Sequence, residues 1–281
     1  MGLKRPKSIR NSLLKTDVLI VGKGITGLVL SFLLAKKQIP HLLLSRQEKS
    51  SRLALGETLP PSALPLLQSM GLLGVFEKHS IRRTTGYHSA WGSERVNDHN
   101  FYFHQPFRYG LKLDKVGLLE MLEESQKGYI REFKQLLSVT NDRTGATVRL
   151  DDDTQISARY IVDATGRKRI VSKALGIGEH DFDNLVAFSA HVPRIKLSGL
   201  PHGVYAEPFE AGWGIASELS ETTSVVTLFT TKNLSNKSDF THYENWIGLV
   251  EHTKLLKSIL SLQQYNRGGG GRANRRRPDM S

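Results

Sequence analysis

The chain has 281 residues, an ordinary apolar content and no cysteine, which excludes disulfides, thiolate metal sites, iron–sulfur clusters and a cysteine nucleophile and suits a reducing, cytoplasmic setting. Its 39 Lys and Arg against 27 Asp and Glu give a net charge of +12, but residues 1–16 carry +5 and residues 266–281 carry +4, so the +3 left for the body is nearly balanced. Both basic tails read as solvated and disordered, specific nucleic-acid binding is not expected, and the most apolar stretch, 18–35, holds Lys23 and three glycines and so reads as neither a membrane span nor a signal core.

Asp17–Val21 is a short β-branched run and predicts a buried strand. Gly22, Gly24 and Gly27 follow at once in G-x-G-x-x-G spacing, Leu28–Lys37 predicts a helix, and Ile39–Leu44 a second strand. This is a βαβ unit carrying a dinucleotide-binding turn. The first glycine allows the turn, the second lets a pyrophosphate approach, and the third lets helix and strand pack closely. The helix N-terminus, with Ile25 and Thr26 in its first turn, offers free N–H groups to phosphate. An acidic residue should end the second strand to hold the ribose, and that position is Ser45, followed by Arg46 and, further on, Glu48.

Further along, Pro60 and Pro61 open a predicted helix that Gly71 ends. Leu111–Leu113 predicts a strand and Asp114 a cap for a helix over 115–125. Thr147–Leu150 and Gln155–Ser157 predict a hairpin, and Arg159–Asp163 another buried strand that turns at Ala164–Gly166. Strands are predicted at 189–192, 203–207, 212–218 and 224–230, then one helix over 243–262. The expected organisation is a dinucleotide-binding domain over 17–175, a sheet-and-helix substrate domain over 176–265, and tails at 1–16 and 266–281.

Gly56-Glu57-Thr58-Leu59-Pro60-Pro61 resembles the G-E-[ST]-L-P-P segment of flavin-dependent tryptophan halogenases and their hydroxylase relatives. Tyr160–Arg167, with Asp163, Gly166 and Arg167, resembles the second flavin motif of that superfamily, and Gly212-Trp213 its substrate sheet. Ser89–Ser93 reads S-A-W-G-S and resembles the halogenase-like monooxygenases that mature quinone cofactors in partner enzymes. The W-x-W-x-I-P segment of true halogenases does not occur, so the resemblance favours hydroxylation over halogenation.

The resemblance implies an α/β fold, a Rossmann-like FAD-binding domain with a mixed-sheet substrate domain. It implies FAD as cofactor and oxygen activation by reduced FAD. The substrate would be aromatic, either a small molecule or a tryptophan of a partner protein, and a separate flavin reductase could supply electrons. Glu57 is the candidate catalytic residue, and His88, His104 and Trp91 are candidates for the substrate pocket. No metal is expected, because the histidines lack ligand spacing. The third motif of the superfamily, a Gly-Asp pair, occurs nowhere, so the chain reads as C-terminally incomplete with weakened FAD binding. A nicotinamide-dependent dehydrogenase would share the βαβ unit but leaves Gly56–Ala63 and Asp163–Arg167 without a role. A non-enzymatic binding module would use the tails.

Overall fold

The structure, a computed structural model, describes residues 13–46, 54–93, 95–193, 203–220, 222–237, 239–260 and 274–276. In chain order these form β1 (Leu13–Val21), α1 (Ile25–Lys36), β2 (His41–Arg46), β3 (Thr58–Leu59), α2 (Leu64–Ser69), α3 (Leu73–Lys78), β4 (Ser80–Thr84), β5 (Gly86–Ser89), β6 (Asn97–Asn100), β7 (Gly110–Leu113) and α4 (Lys115–Ser125). Then come β8 (Ile130–Phe133), β9 (Leu136–Asp142), β10 (Gly145–Leu150), β11 (Gln155–Asp163), α5 (Ile170–Ala174), β12 (Leu185–Pro193), β13 (Val204–Phe209), β14 (Gly212–Glu218) and β15 (Thr223–Thr231). The last are α6 (Lys232–Lys237), α7 (Tyr243–Glu251), α8 (Leu255–Leu260) and β16 (Asn274–Arg276).

The chain forms two compact units, Met1–Ser51 with Leu119–His180, and Arg52–Leu118 with Asp181–Ser281. The observed break at 180/181 lies close to the expected one at 175/176, but residues 52–118, expected as insertions within the first domain, belong to the second unit. The chain leaves the first sheet after β2, builds β3 to β7 with the second unit, and returns along α4.

The first unit is a sheet in the order β8-β2-β1-β11-β10-β9. β8, β2, β1 and β11 run parallel, and β10 and β9 add an antiparallel meander. The central strand ends in the fully buried Leu19, Ile20 and Val21, as expected of a strand covered on both faces. β1 begins earlier than the expected tail boundary: Leu13 to Thr16 pair with Gln155 to Ala158, so Lys15 belongs to the ladder and not to a tail.

The second unit holds a sheet in the order β16-β12-β15-β14-β13-β5-β6 and a small sheet β3-β7-β4. β16 pairs with β12, so the expected tail at 266–281 is interrupted by a strand; its other residues lie outside the described ones. Alternation gives the large sheet two distinct faces. Phe188, Tyr205, Ala216, Val226 and Leu228 form one core with Trp246, Val250 and Leu256 of α7 and α8. Ser189, Ser217, Thr227 and Trp213 fall on the other face by register.

The predicted helix over 243–262 is broken into α7 and α8. The buried Glu207 carboxylate of β13 accepts hydrogen bonds from the backbone N–H groups of Lys254, Leu255 and Leu256 at 2.7, 2.7 and 3.0 Å, which starts a new helix there. Among the described residues no helix is long and apolar enough to cross a membrane.

Glu207→Ala strips three buried N–H groups of their acceptor. It is expected to cost about 2–4 kcal/mol, read as a lowered urea or thermal midpoint.

Candidate functional site

Two turns far apart in sequence meet at the C-terminal ends of β1 and β11. The parallel register pairs Val21 with Asp163, Ala164 N–H donates to Val21 O at 2.8 Å, and Gly22 N–H donates to Leu44 O at 2.9 Å. Gly22 has φ +118°, and a Cβ there would lie 2.3 Å from Ala164 O. A Cβ on Gly27 would lie 1.9 Å from Gly22 O. Packing within the protein therefore demands glycine at both positions. At Gly24 it does not, because a Cβ there would meet only Ala164 O, at 3.9 Å. Gly24 is the N-cap of α1, no side chain caps that end, and no acidic residue stands in its first turn. Ile25 is half-buried, Thr26 is exposed and Gly27 is buried. Lys23, read only as a charge in the sequence, pairs with Glu123 of α4.

Ser45 is buried at the end of β2, beside Glu132 of β8 in the ladder. Arg46 is exposed, and its Nε donates to Lys134 O at 3.2 Å. Glu48 lies outside the described residues.

The Asp163 carboxylate is engaged on both oxygens. One accepts from Thr165 N–H and Oγ1 at 3.1 and 2.5 Å, the other from Ser172 N–H and Oγ at 2.9 and 2.8 Å. Burial alone would raise its pKa, but these donors outweigh it and hold the carboxyl below its ordinary range. Asp163 thus anchors the turn at Thr165 and Gly166 and the start of α5. Gly166 has φ +58° and nothing near its would-be Cβ, and Arg167 is exposed.

In the second unit, the Gly56-Glu57-Thr58 turn wraps around a buried lysine that sequence reasoning did not single out. Lys112 of β7 donates from Nζ to Gly56 O at 2.6 Å, to Thr58 Oγ1 at 3.2 Å and to Ser217 Oγ. Gly56 has φ +74°, and a Cβ there would lie 2.9 Å from Ser217. Burial pushes the Lys112 ammonium down to about 8, while the Glu218 and Glu57 carboxylates pull it up and Arg82 pushes it down. Glu57 Oε1 pairs with Lys115 Nζ at 2.5 Å, and its Oε2 is buried without a hydrogen-bond partner among the described residues.

His88 and Trp91, expected to line one pocket, are separated by the sheet. His88 pairs in register with Tyr205, stacks on it with ring centroids 4.9 Å apart, and donates from Nδ1 to the Asp98 carboxylate at 2.6 Å. It therefore faces the core side. Trp91 is exposed and sets its edge against Trp213, which stacks on Phe229 at 3.9 Å on the opposite face. His104 is exposed and packs edge-on to Phe101.

Residues 15–239 match the family model described as FAD binding domain. The chain is 27% identical over 169 residues to a rifampicin monooxygenase of Streptomyces venezuelae, covering 57% of this chain and 34% of that protein. It is 24% identical over 248 residues to the protein LodB of Marinomonas mediterranea, covering 85% of this chain and 67% of that protein. The myxobacterial chondrochloren halogenase CndH, a variant of FAD-dependent halogenases, superposes with a TM-score of 0.76 at 19% identity over 94% of this chain and 64% of that one. The first curated relatives are longer: the chain spans 34%, 44% and 63% of their lengths.

Asp163→Asn keeps the shape but removes acceptor capacity toward Ser172. It is expected to cost about 1–3 kcal/mol at pH 7. A carboxyl with a lowered native pKa contributes its stability above its unfolded pKa and loses it as pH falls through the folded one. The gap between wild type and D163N in thermal midpoint should therefore close on acidification below the ordinary carboxylate range.

Proposed function

The chain belongs to the FAD binding domain family, and on that premise we propose that it is an FAD-dependent monooxygenase-type oxidoreductase acting on an aromatic ring. The observation that carries the reading is the turn at Gly24. It is the one glycine of the motif that packing does not require, and it stands at an uncapped helix N-terminus. A pyrophosphate fits there, because it needs both the missing Cβ and the first-turn N–H groups of α1.

Gly22 and Gly27 shape that cradle, and Ile25 and Thr26 supply its donors. Ser45 and Arg46 stand at the strand end on the ribose side, with serine giving one neutral hydrogen bond where a carboxylate would give charge-assisted ones. Asp163, Gly166 and Arg167 serve as a second wall of the cofactor site, Asp163 by holding the turn rather than by reaching outward. Reduced FAD, when bound, supplies dioxygen activation.

Glu57 Oε2 has no donor among the described residues, and in this reading it takes a hydrogen bond from the substrate. Trp91 and the Trp213–Phe229 stack offer an aromatic platform for the substrate ring. His88, on the other face, supports Tyr205 instead. The ring is that of a small molecule or of a tryptophan in a partner protein, as the Ser89–Ser93 resemblance suggests, and a separate reductase supplies electrons.

The wild type should bind FAD one-to-one with a shift of its visible absorbance. Gly24→Ala should leave stability within about 1 kcal/mol yet weaken FAD by about tenfold or more, roughly 1.4 kcal/mol. Gly27→Ala should lose about 3 kcal/mol of stability or more through its backbone clash. Equal FAD affinity in wild type and G24A would overturn the reading. L-Tryptophan should bind the wild type in a calorimetric titration, and Trp213→Ala should abolish that binding with FAD affinity unchanged.

A further inference from the structure

Lys112 is 3% exposed, and the three donors of its ammonium meet acceptors from three places: the Gly56 carbonyl of the turn, the Thr58 hydroxyl of β3 and the Ser217 hydroxyl of β14. Ser217 Oγ also donates to Gly56 O at 3.1 Å, so this carbonyl is gripped twice. The next residue is tied as well, with Leu113 N–H donating to Glu57 O at 3.0 Å. His191 of β12 adds Nε2 on Ala54 O at 2.9 Å. The charged groups around the ammonium are Glu57 on the turn, Glu218 on β14 and Arg82 on β4, with Lys115 on α4 bound to Glu57.

Volume alone does not call for a lysine here. An ammonium taken out of water is expensive, and an apolar side chain of the same length would fill the space. Burial holds the charged form down to about 8, so at neutral pH the charge works against folding. That penalty is relieved as pH rises from the folded value toward the ordinary lysine value, because over that window the unfolded chain binds more protons. A charge kept at such a cost beside a turn that requires glycine at position 56 is a candidate functional position.

We infer that Lys112 is the positioning residue of the Gly56–Glu57 turn: its ammonium clamps the Gly56 carbonyl against Ser217 and thereby aims the Glu57 carboxylate, whose Oε2 has no partner among the described residues. The ligand side of this inference rests on the reading that Glu57 meets the substrate. The clamp itself does not.

The test has a ligand-free arm and a ligand arm. In the first, the carboxyl carbon of Glu57 is followed by 13C NMR in the full chain, with the resonance assigned by its loss in Glu57→Gln. It should show an inflection near pH 8 in wild type, reporting loss of the Lys112 proton, and none in Lys112→Met. In the second, L-tryptophan is titrated calorimetrically at pH 7. K112M should weaken its binding by about tenfold, and the K112M/E57Q double variant should be no weaker than E57Q alone, since both changes act through one carboxylate. K112M should unfold at a temperature no lower than wild type, because a buried charge is removed along with its bonds.

Absence of the inflection in wild type overturns the inference and needs no folded variant. Full additivity in the double variant, or unchanged L-tryptophan affinity in K112M, overturns it too. Failure of the wild type to bind L-tryptophan overturns the reading of Glu57 as a substrate contact instead, and the Glu57 resonance then decides the clamp alone.

Discussion

Val21 and Asp163 are neighbours in a parallel ladder, and the rest of the first unit is arranged around that pairing. The register ends β1 and β11 at one level, so the turns that follow them press together: Gly22 can approach Ala164 O only without a side chain, and Gly27 can approach Gly22 O only on the same terms. α1 is thereby held with its N-terminus at the strand ends, which is where open α/β sheets bind ligands. Had the ladder slipped by one residue, every side chain of β1 would change faces, and Leu19 and Val21 would leave the core they share with Val148, Ile156 and Val171. The apolar pattern of the strand thus fixes the geometry of the turn.

The second unit uses a different device. There a buried ammonium holds the Gly56 turn through directed hydrogen bonds. Such bonds specify one arrangement more sharply than a methyl group would, at a cost in stability. The same trade appears at Glu207, where a buried carboxylate sets where α8 begins. Both charges sit where a backbone must be held in an irregular path.

What could be read from the sequence follows from how local each signal is. The glycine turn, the capping of α4 by Asp114 and the strand over 212–218 depend on neighbours in the chain and were legible. β5 and β6 were not, since Gly86–Ser89 and Asn97–Asn100 are polar and become strands only through ladders to β13 and to each other. The break between α7 and α8 was invisible because its cause, Glu207, lies far back on β13. Lys112 was hidden by its own context: in Leu111-Lys112-Leu113 alternation reads a lysine as solvent-facing, whereas β7 lies between β3 and β4 with every residue buried. The face taken by His88 was likewise fixed by pairing with Tyr205 and not by its neighbours in the chain.

The choice between a tight turn made for packing and one made for a ligand comes down to Gly24. Gly22 and Gly27 suit both accounts, because the protein's own backbone forbids a side chain at each. Gly24 has ordinary extended dihedrals and open space, so any residue could stand there without a clash. A serine, threonine, asparagine or aspartate at that N-cap would satisfy a free N–H of α1 and stabilise the helix by roughly a few tenths of a kcal/mol over glycine. The chain forgoes this and also places no carboxylate in the first turn, although α1 carries the partial positive charge that would favour one. Exposed glycines elsewhere, such as Gly74 and Gly128, also have space around them, but they do not stand at an uncapped helix end between two glycines the fold requires. A helix whose N-terminus is left without a cap, an acid or a side chain is arranged for an anion that comes from outside the protein.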